Sequence, residues 1–349
     1  MDSGMVFRIS GWRAEVTLKQ SIRVFDRNEA YAVAILLIHG NVEPHPIIRF
    51  RLKSAESSSP WNRSASSKLF HDHLQRISAP ASSTLPLPRA LLLFAHPDDE
   101  VIAVGARLER FRESRLICVT DGAPRDGVDA RAKGFGSLAE YAQARCRELQ
   151  SALRLSGLVP AQVMHQLNCQ IADQQAPRRL VELTLALAAE LREFQPELVL
   201  THPYEGGHPD HDSCAFAVHT AVHLNAAHCP IVEAAFYHAG PNGIETGRFL
   251  PGGSAAWIHR LSADEKKNKR ERLDCFLSQK ETLRSFGIED ERFRLAPEYD
   301  FTRPPHPGRL FYESFSWGMT GARFRDLSAT ALKQLRLDPA NAGRGRRSA

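Results

Sequence analysis

The sequence lacks any paired-cysteine motif. Its six cysteines are scattered over 349 residues and none forms a CxxC pair, so neither a thiolate metal site nor a dithiol redox centre is indicated. We expect reduced thiols that are mostly buried in the core.

Long apolar segments and strongly basic regions are missing as well. The longest apolar run, residues 30–38, is far shorter than the ~20 residues that a membrane-spanning helix needs. The N-terminus has no basic stretch followed by an apolar one, which a secretory signal would show. The net charge of +5 is small, and no basic patch is interleaved with aromatic residues. We therefore expect a cytoplasmic protein with no membrane span and no nucleic-acid partner; the sequence does not indicate an oligomeric state.

Composition divides the chain into three predicted regions. Residues 1–85 include a serine-rich stretch at 54–67 and are interpreted as a poorly packed N-terminal extension of uncertain fold. Residues 86–330 are predicted to form the functional domain. Residues 331–349 end in a Gly/Arg-rich tail that we expect to be frayed.

Strands and helices alternate regularly from residue 89 onward. Continuous apolar runs predict strands at 91–95, 115–120, 163–167, 198–201 and 231–237. Helical periodicity predicts helices at 100–113, 137–155, 178–194 and 208–224. This alternation predicts an α/β fold: a Rossmann-like, doubly wound, mostly parallel sheet in a three-layer α/β/α sandwich.

A charged helix is predicted after this alternation, at residues 262–278. We expect its basic residues to form a solvated face. These residues are Lys266, Lys267, Lys269, Arg270 and Arg272.

Two histidine-containing acidic turns follow two of the predicted strands. Residues 95–100 read Ala-His-Pro-Asp-Asp-Glu, and residues 207–212 read Gly-His-Pro-Asp-His-Asp. Each turn alone is explained as a good helix start, with proline at the first position and acids in the first turn. Two such turns at the carboxyl ends of strands in one parallel sheet, however, would lie in the same crevice. Their pairing favours a metal site.

The residue types in the two turns suit hydrolysis. His96, one of Asp98 and Asp99, and His211 would supply three ligands to a divalent ion such as zinc. The remaining aspartate would lie beside a zinc-activated water as general base. His208, oriented by Asp210, could stay protonated and donate to an oxyanion or a leaving amine. Together these groups describe hydrolysis of an amide or ester.

Both turns resemble motifs of the LmbE-like, or PIG-L-type, zinc-dependent N-acetylglucosaminyl deacetylases. That family carries A-H-P-D-D-E after its first strand and H-P-D-H after a later one, and this sequence has both in full. The resemblance implies that His96, Asp99 and His211 bind zinc and that Asp98 is the general base. It further implies that His208 polarises the carbonyl or acts as acid, with Asp210 as its partner.

Three further residues are candidates for substrate binding. Arg145 resembles a family arginine that faces the substrate, although an ion pair with Glu148 on the same helix explains it equally well. Asp121 lies in a turn that resembles the family loop beside the metal. Tyr204 begins the loop that leads into the second motif.

Two other histidines and an aromatic cluster lie near these motifs in the sequence. His202 could line the pocket, but a structural role is preferred, and His219 is interpreted as a packing residue. The aromatic residues in 311–317 could cap the pocket or close the core.

The expected function is zinc-dependent N-deacetylation, which is hydrolysis of a carbon–nitrogen amide bond. The substrate would be a small N-acetylated sugar or sugar conjugate, and ferrous iron suits the same ligands as zinc. One alternative is an amide hydrolase of this fold that acts on a non-sugar substrate. Another is a catalytically silent carbohydrate-binding module, but the presence of Asp98 and His208 argues against it.

Overall fold

The structure is a computed structural model that describes residues 7–9, 12–14, 31–32, 50–51, 63–79, 87–225, 229–241 and 243–337. The chain divides into two compact units, residues 1–59 and residues 60–349. Among the described residues, no helix combines the length and the apolar character needed to cross a bilayer.

The described part of the first unit consists of two antiparallel strand pairs. Strand β1 (Phe7–Ile9) pairs with β2 (Trp12–Ala14), and β3 (Tyr31–Ala32) pairs with β4 (Phe50–Arg51). Most of the predicted N-terminal extension lies outside the described residues, as does the tail beyond residue 337.

The second unit contains the strand–helix alternation. Its helices are α1 (Arg63–Ser78), α2 (Asp99–Val104), α3 (Val128–Ala132), α4 (Leu138–Leu155), α5 (Pro160–Val163), α6 (Leu180–Phe194), α7 (Pro209–Leu224), α8 (Ala263–Leu273), α9 (Lys280–Leu283) and α10 (Gly321–Gln334). Its strands are β5 (Ala90–Phe94), β6 (Arg115–Cys118), β7 (Leu198–Thr201), β8 (Ile231–Ala234), β9 (Tyr237–Gly240), β10 (Gly243–Thr246), β11 (Trp257–Arg260) and β12 (Asp290–Leu295). Short 3₁₀ helices span Gly105–Arg110, Ala176–Arg179, Leu277–Gln279 and Phe311–Ser314.

Six of these strands form one mixed sheet in the order β11-β12-β8-β7-β5-β6. The four strands from β8 to β6 are parallel, while β12 and β11 add antiparallel pairing at one edge. Strand order reverses between β5 and β7, which is where a doubly wound sheet opens its crevice.

Both faces of the sheet are covered, as the continuous apolar runs predict. Alternate residues of β5 enter two different core clusters: Leu92 and Phe94 pack with helices α1, α2 and α4, while Leu91 and Leu93 pack with α6 and α7. The three-layer, doubly wound, mostly parallel fold is therefore confirmed.

One predicted strand is wrong. Residues 163–167 form the end of α5 and a loop, with a single bridge between Met164 and Leu116 of β6. Strand β6 is the edge of the sheet, and polar residues interrupt the segment, so apolar content alone does not extend the ladder there.

Two other predicted elements change character along their length. The helix at 100–113 is α-helical only to Val104 and continues as a 3₁₀ helix. Strand β8 ends at Ala234, and Tyr237 begins a separate hairpin with β10.

The charged helix is α8, and the prediction of a fully solvated basic face is wrong for two residues. Lys269 is 2% exposed and donates to Glu291 Oε1 at 2.9 Å and to Ile102 O at 2.7 Å. Arg272, also buried, donates to Gly105 O and to Glu109 Oε2, each at 2.6 Å. These contacts fasten α8 to α2 and the 3₁₀ helix after it, so the residues are buried because each finds a carboxylate.

Candidate metal-dependent active site

The first acidic turn connects β5 to α2 and contains a strained residue. Asp98 has φ of 117°, which is rare for a residue with a side chain. Arg145 on α4 holds the turn: its guanidinium is 3.1 Å from Asp98 Oδ2 and donates to Pro97 O at 2.6 Å and Gly122 O at 2.8 Å. The backbone conformation of Asp98 is thus fixed by a buried cation.

The second acidic turn lies at the carboxyl end of the neighbouring strand β7 and begins α7. His208 is the residue before the helix, and Pro209 is its first residue. The loop before it packs tightly: a Cβ on Gly207 would lie 2.0 Å from Tyr237 O, so only glycine fits there. Asp212 Oδ1 accepts hydrogen bonds from the backbone N–H groups of Glu205 and Gly206 at 3.2 and 3.0 Å.

The two turns bring His96, Asp99 and His211 together, as predicted. Asp99 Oδ2 lies 3.4 Å from His96 Nδ1, and Asp99 Oδ1 lies 3.5 Å from His211 Nε2. All three are at most 8% exposed. The potential ligand atoms form three overlapping groups, each within 4.8 Å: His96, His208 and His211; Asp99, His202 and His211; and His96, Asp173, His208 and Asp210. The predicted ligands therefore fall into adjacent groups that share His96 or His211.

Asp173 belongs to this cluster but is not among the residues predicted from the sequence. Its Oδ1 lies 3.4 Å from His96 Nε2 and 4.0 Å from His208 Nε2. Ile171 bridges Thr120 just beyond β6, so Asp173 also follows an extended segment at the carboxyl edge of the sheet. The sequence signal for Asp173 was weak, because the segment before it forms an isolated bridge rather than a strand.

His202 is fully buried beneath the cluster. Its Nε2 accepts a hydrogen bond from Ala95 N at 3.0 Å, and its ring stacks on that of His211 at 3.8 Å. Burial lowers the pKa of His202, which is consistent with the acceptor role of the neutral ring. This placement supports the structural interpretation, in which His202 fixes the His211 ring.

Asp210 contacts a different set of groups from the one predicted. Its carboxylate accepts from Gln174 N at 2.6 Å and Ala176 N at 3.1 Å, and it lies 3.4 Å from His96 Nε2. His208 Nδ1 is 4.0 Å from Asp210 Oδ2 and instead accepts from the Asp210 backbone N–H at 3.2 Å. Because Nδ1 accepts, the proton of a neutral His208 ring is at Nε2.

The surroundings shift the pKa values of the site histidines in opposite directions. Burial and the nearby His96 lower the pKa of His208 to about 3, and burial and His202 lower the pKa of His211 well below its ordinary value. Burial also acts to lower the pKa of His96, but Asp173, Asp210 and Asp99 outweigh it and leave that pKa well raised. The lowered pKa of His208 favours the neutral ring, in contrast to the expectation of a protonated one.

Four buried aspartates lie at the cluster. Asp98, Asp99, Asp173 and Asp210 are each at most 6% exposed; Asp98 contacts the Arg145 guanidinium, and the other three lie 3.4 Å from His96 ring nitrogens. Burial raises the pKa of Asp98 to about 7, although Arg145 acts in the opposite direction. Asp173 Oδ1 and His211 Nδ1 have no hydrogen-bond partner. A divalent cation fits this donor set, since it would compensate the carboxylates and use neutral imidazoles, displacing the His96 proton.

The three predicted substrate-binding residues differ in how close they lie to the cluster. Asp121 lies at the edge of the cluster, where its Oδ1 accepts from Asp173 N at 3.4 Å and its Oδ2 pairs with Arg125 at 2.6 Å. Arg145 is directed at Asp98, while Glu148 accepts from Ser278 N and Oγ at 2.8 and 2.6 Å.

Tyr204 is not brought to the cluster. It is 3% exposed, its ring packs 5.0 Å from that of Phe301, and its hydroxyl donates to Arg303 O at 2.8 Å. A substrate contact by Tyr204 has no support in this position.

A cavity of about 480 Å³ lies elsewhere, at the opposite ends of the strands. It is lined by residues that precede β7 and β8, including Glu197 and Cys229, and by His73 of α1. None of the potential metal-ligand groups found among the described residues lies there. The chemistry thus points to the carboxyl edge of the sheet rather than to this cavity.

A Rossmann-like sheet with a buried histidine–aspartate cluster at its carboxyl edge defines a class of candidate metal-dependent hydrolases. Comparison with known proteins narrows the class. Residues 91–222 match the model of the PIG-L family, described as GlcNAc-PI de-N-acetylase. This part of the chain is therefore similar to a PIG-L-type, LmbE-like domain, in agreement with the resemblance of the two motifs.

Curated relatives match over about a third of the chain. A 1D-myo-inositol 2-acetamido-2-deoxy-alpha-D-glucopyranoside deacetylase from Mycobacterium tuberculosis is 32% identical over 143 residues, which is 36% of this chain and 47% of the relative. The corresponding deacetylase 2 from Catenulispora acidiphila is 30% identical over 145 residues, 36% of this chain and 48% of the relative. The chain thus spans about half the length of the curated relatives it matches.

The solved structures that are similar to this chain include a deacetylase of the teicoplanin biosynthesis pathway. It is 18% identical, with 59% of this chain and 96% of that chain covered and a TM-score of 0.47.

Proposed function

We propose that the protein is a metal-dependent hydrolase that removes the acetyl group from an N-acetylated sugar or sugar conjugate. The observation that carries the proposal is the buried cluster of His96, Asp99 and His211 beside Asp98 and His208. The match to a de-N-acetylase family and to N-acetylglucosaminide deacetylases supports the choice of reaction. The cytoplasmic location stays a prediction.

His96, Asp99 and His211 would hold the ion, with zinc as the favoured metal and ferrous iron also compatible with these ligands. When bound, such an ion supplies a Lewis acid for the acetyl carbonyl and lowers the pKa of a coordinated water. His202 contributes indirectly, because its stacking fixes the His211 ring.

Asp98 is proposed as the general base. It adjoins the ligands in sequence, and Arg145 holds its carboxylate in one place. A carboxyl whose pKa is about 7 can accept a proton near neutral pH and release it later in the reaction. The Asp98 carboxylate would take the proton from the attacking water and return it to the departing amine.

His208 is proposed to stabilise the developing oxyanion. With Nδ1 occupied by the Asp210 backbone N–H, Nε2–H is free to donate. The low pKa keeps the ring neutral, so its contribution is a directed hydrogen bond rather than a full charge. Asp210 would act on His96 and on the residue 174–176 loop, to which its carboxylate is bonded.

Acetate release from a substrate panel tests the proposal. The zinc-loaded protein should deacetylate N-acetylglucosamine or its glycosides, and Asp98→Ala should lower kcat by about 100- to 10,000-fold with metal retained. Asp129→Ala, which removes an exposed aspartate on α3, is the matched control and should leave kcat unchanged.

Two outcomes would replace the proposal with its alternatives. Turnover of non-sugar acetamides alone would assign an amide hydrolase with another substrate. Sugar binding with no turnover, equal in the parent and in Asp98→Ala, would assign a carbohydrate-binding module.

A further inference from the structure

The aromatic segment 311–317 borders the candidate site but is not needed for the chemistry described above. Phe311 N donates to Gly206 O at 2.9 Å, which ties the segment to the loop before His208. Tyr312 is fully buried in the core. Phe315, in contrast, is 42% exposed, so the segment does more than close the core.

Six aromatic rings form a closed circuit that includes two histidines of the site. Neighbouring ring centroids are 4.4–5.7 Å apart around the whole circuit. The rings, in order, are those of His208, His211, Tyr237, Phe311, Phe315 and Trp317.

The side of the circuit next to His208 is a flat aromatic pair. The Trp317 ring is 4.8 Å from the His208 ring, and the Phe315 ring stacks on Trp317 at 4.4 Å with an angle of 9° between the planes. Stacked rings are rigid and apolar, and they bury large area at low entropic cost. A polar reaction centre thus has a flat apolar wall immediately beside the proposed oxyanion donor.

This juxtaposition matches the chemistry of an N-acetylated pyranose. The acetamido group is polar and belongs at the carboxylates and imidazoles, whereas the C–H groups of a sugar ring give it a flat apolar face. An acyclic acetamide offers no such face. Binding sites in general combine a few placed polar groups with apolar and aromatic walls.

We propose that Trp317, supported by Phe315, determines specificity by stacking on the pyranose ring that carries the acetamido group. The inference rests on the proposed function, since it names how that same site would recognise a sugar. Trp317 would act in binding the ring, not in the transfer of protons.

Steady-state kinetics with methyl N-acetylglucosaminide test the stacking. In the zinc-loaded protein, Trp317→Ala should raise KM at least tenfold with kcat within about twofold of the parent. Trp317→Phe should keep KM within about threefold, and Phe315→Ala should raise it about threefold. Leu185→Ala is the matched control, because Leu185 is 46% exposed on α6 and close to Phe315 in exposure.

A binding measurement separates recognition from turnover. In an Asp98→Asn background, saturation-transfer NMR should show strong transfer to the sugar-ring protons, and Trp317→Ala should abolish it. The acyclic amide N-acetylethanolamine should bind equally with and without the Trp317 ring.

The outcomes distinguish this inference from the function on which it rests. Sugar turnover by the parent with KM unchanged in Trp317→Ala would overturn the stacking and leave the deacetylase intact. No turnover of any N-acetyl sugar would overturn both. If circular dichroism shows that Trp317→Ala does not fold, Phe315→Ala decides, and an unchanged KM there contradicts the stacking.

Discussion

The domain contains two buried charged regions that differ in the ratio of carboxylates to cations. Around α8, each buried cation is matched with a carboxylate: Lys269 with Glu291, Arg272 with Glu109 and Arg107 with Glu265. At the carboxyl edge of the sheet, four buried aspartates face two cationic groups: Asp98 contacts Arg145, and the other three lie 3.4 Å from His96. Matched pairs fasten one element to another, whereas an excess of one charge in a buried place is retained for a ligand. The difference separates a structural region from a functional one.

Breaking a matched pair should have the largest effect on stability. Lys269→Met leaves Glu291 buried without its cation and should lower the free energy of unfolding by about 3–5 kcal/mol. Lys267→Met is the matched control, since Lys267 is an exposed residue of the same helix whose contact with Glu271 is 3.9 Å. Urea unfolding measures both. Equal losses in the two variants would show that α8 is not fastened by the buried pair.

Removing the guanidinium at the unbalanced cluster should affect turnover more than folding. Arg145→Met removes two contacts to the Asp98 turn and one to Gly122, and misplacement of a catalytic group can cost about 100-fold in rate. We expect kcat to fall about 100-fold while the metal content is unchanged. Arg147→Met, an exposed residue of the same helix, should retain activity. A normal kcat in Arg145→Met would mean that Asp98 needs no anchor.

A smaller, pH-dependent effect is expected at His219, a half-buried base that belongs to neither region. Burial lowers its pKa to about 4, its Nε2 has no hydrogen-bond partner, and its ring packs 5.1 Å from that of Tyr299. The folded state therefore resists protonation that the unfolded state accepts, so stability is lost as pH falls from about 6.5 toward 4. His219→Phe removes this loss and should raise Tm by more at pH 5 than at pH 8. The same Tm change at both pH values would contradict the assignment.

The sequence predicted the four parallel strands of the sheet, which are covered on both faces, but not the antiparallel strands β11 and β12, where half-buried or exposed residues alternate along the strand. Continuous apolar runs mark β5, β7 and β8 regardless of their neighbours. The segment at 163–167 has similar residues but lies beside the edge strand β6, and position in the sheet cannot be deduced from apolar content. The prediction failed there for that reason.

The candidate site was predictable where its residues are contiguous in sequence. His96, Asp98 and Asp99 share one turn, and His208 and His211 share another. The motifs and their positions after two strands were therefore enough to predict that these residues lie close together. Asp173 reaches the cluster alone, from a segment with one bridge.

Burial of charged residues was harder to anticipate. Lys269 follows the same polar pattern as its exposed neighbours, and its burial depends on Glu291 in a distant strand. Tyr204 shows the opposite error: it was predicted to contact substrate, but its side chain is buried in the core. A position next to the motif does not determine the direction of a side chain.

The measurement that tests the central claim most directly is metal content. After zinc loading and dialysis, elemental analysis should find about one zinc per chain in the parent and in His219→Phe, and little in His211→Ala. His219 is the matched control because it lies on the same helix α7, outside the cluster. The absence of metal from the zinc-supplied parent, or its full retention in His211→Ala, would contradict the assignment of the buried histidine–aspartate cluster as a metal site.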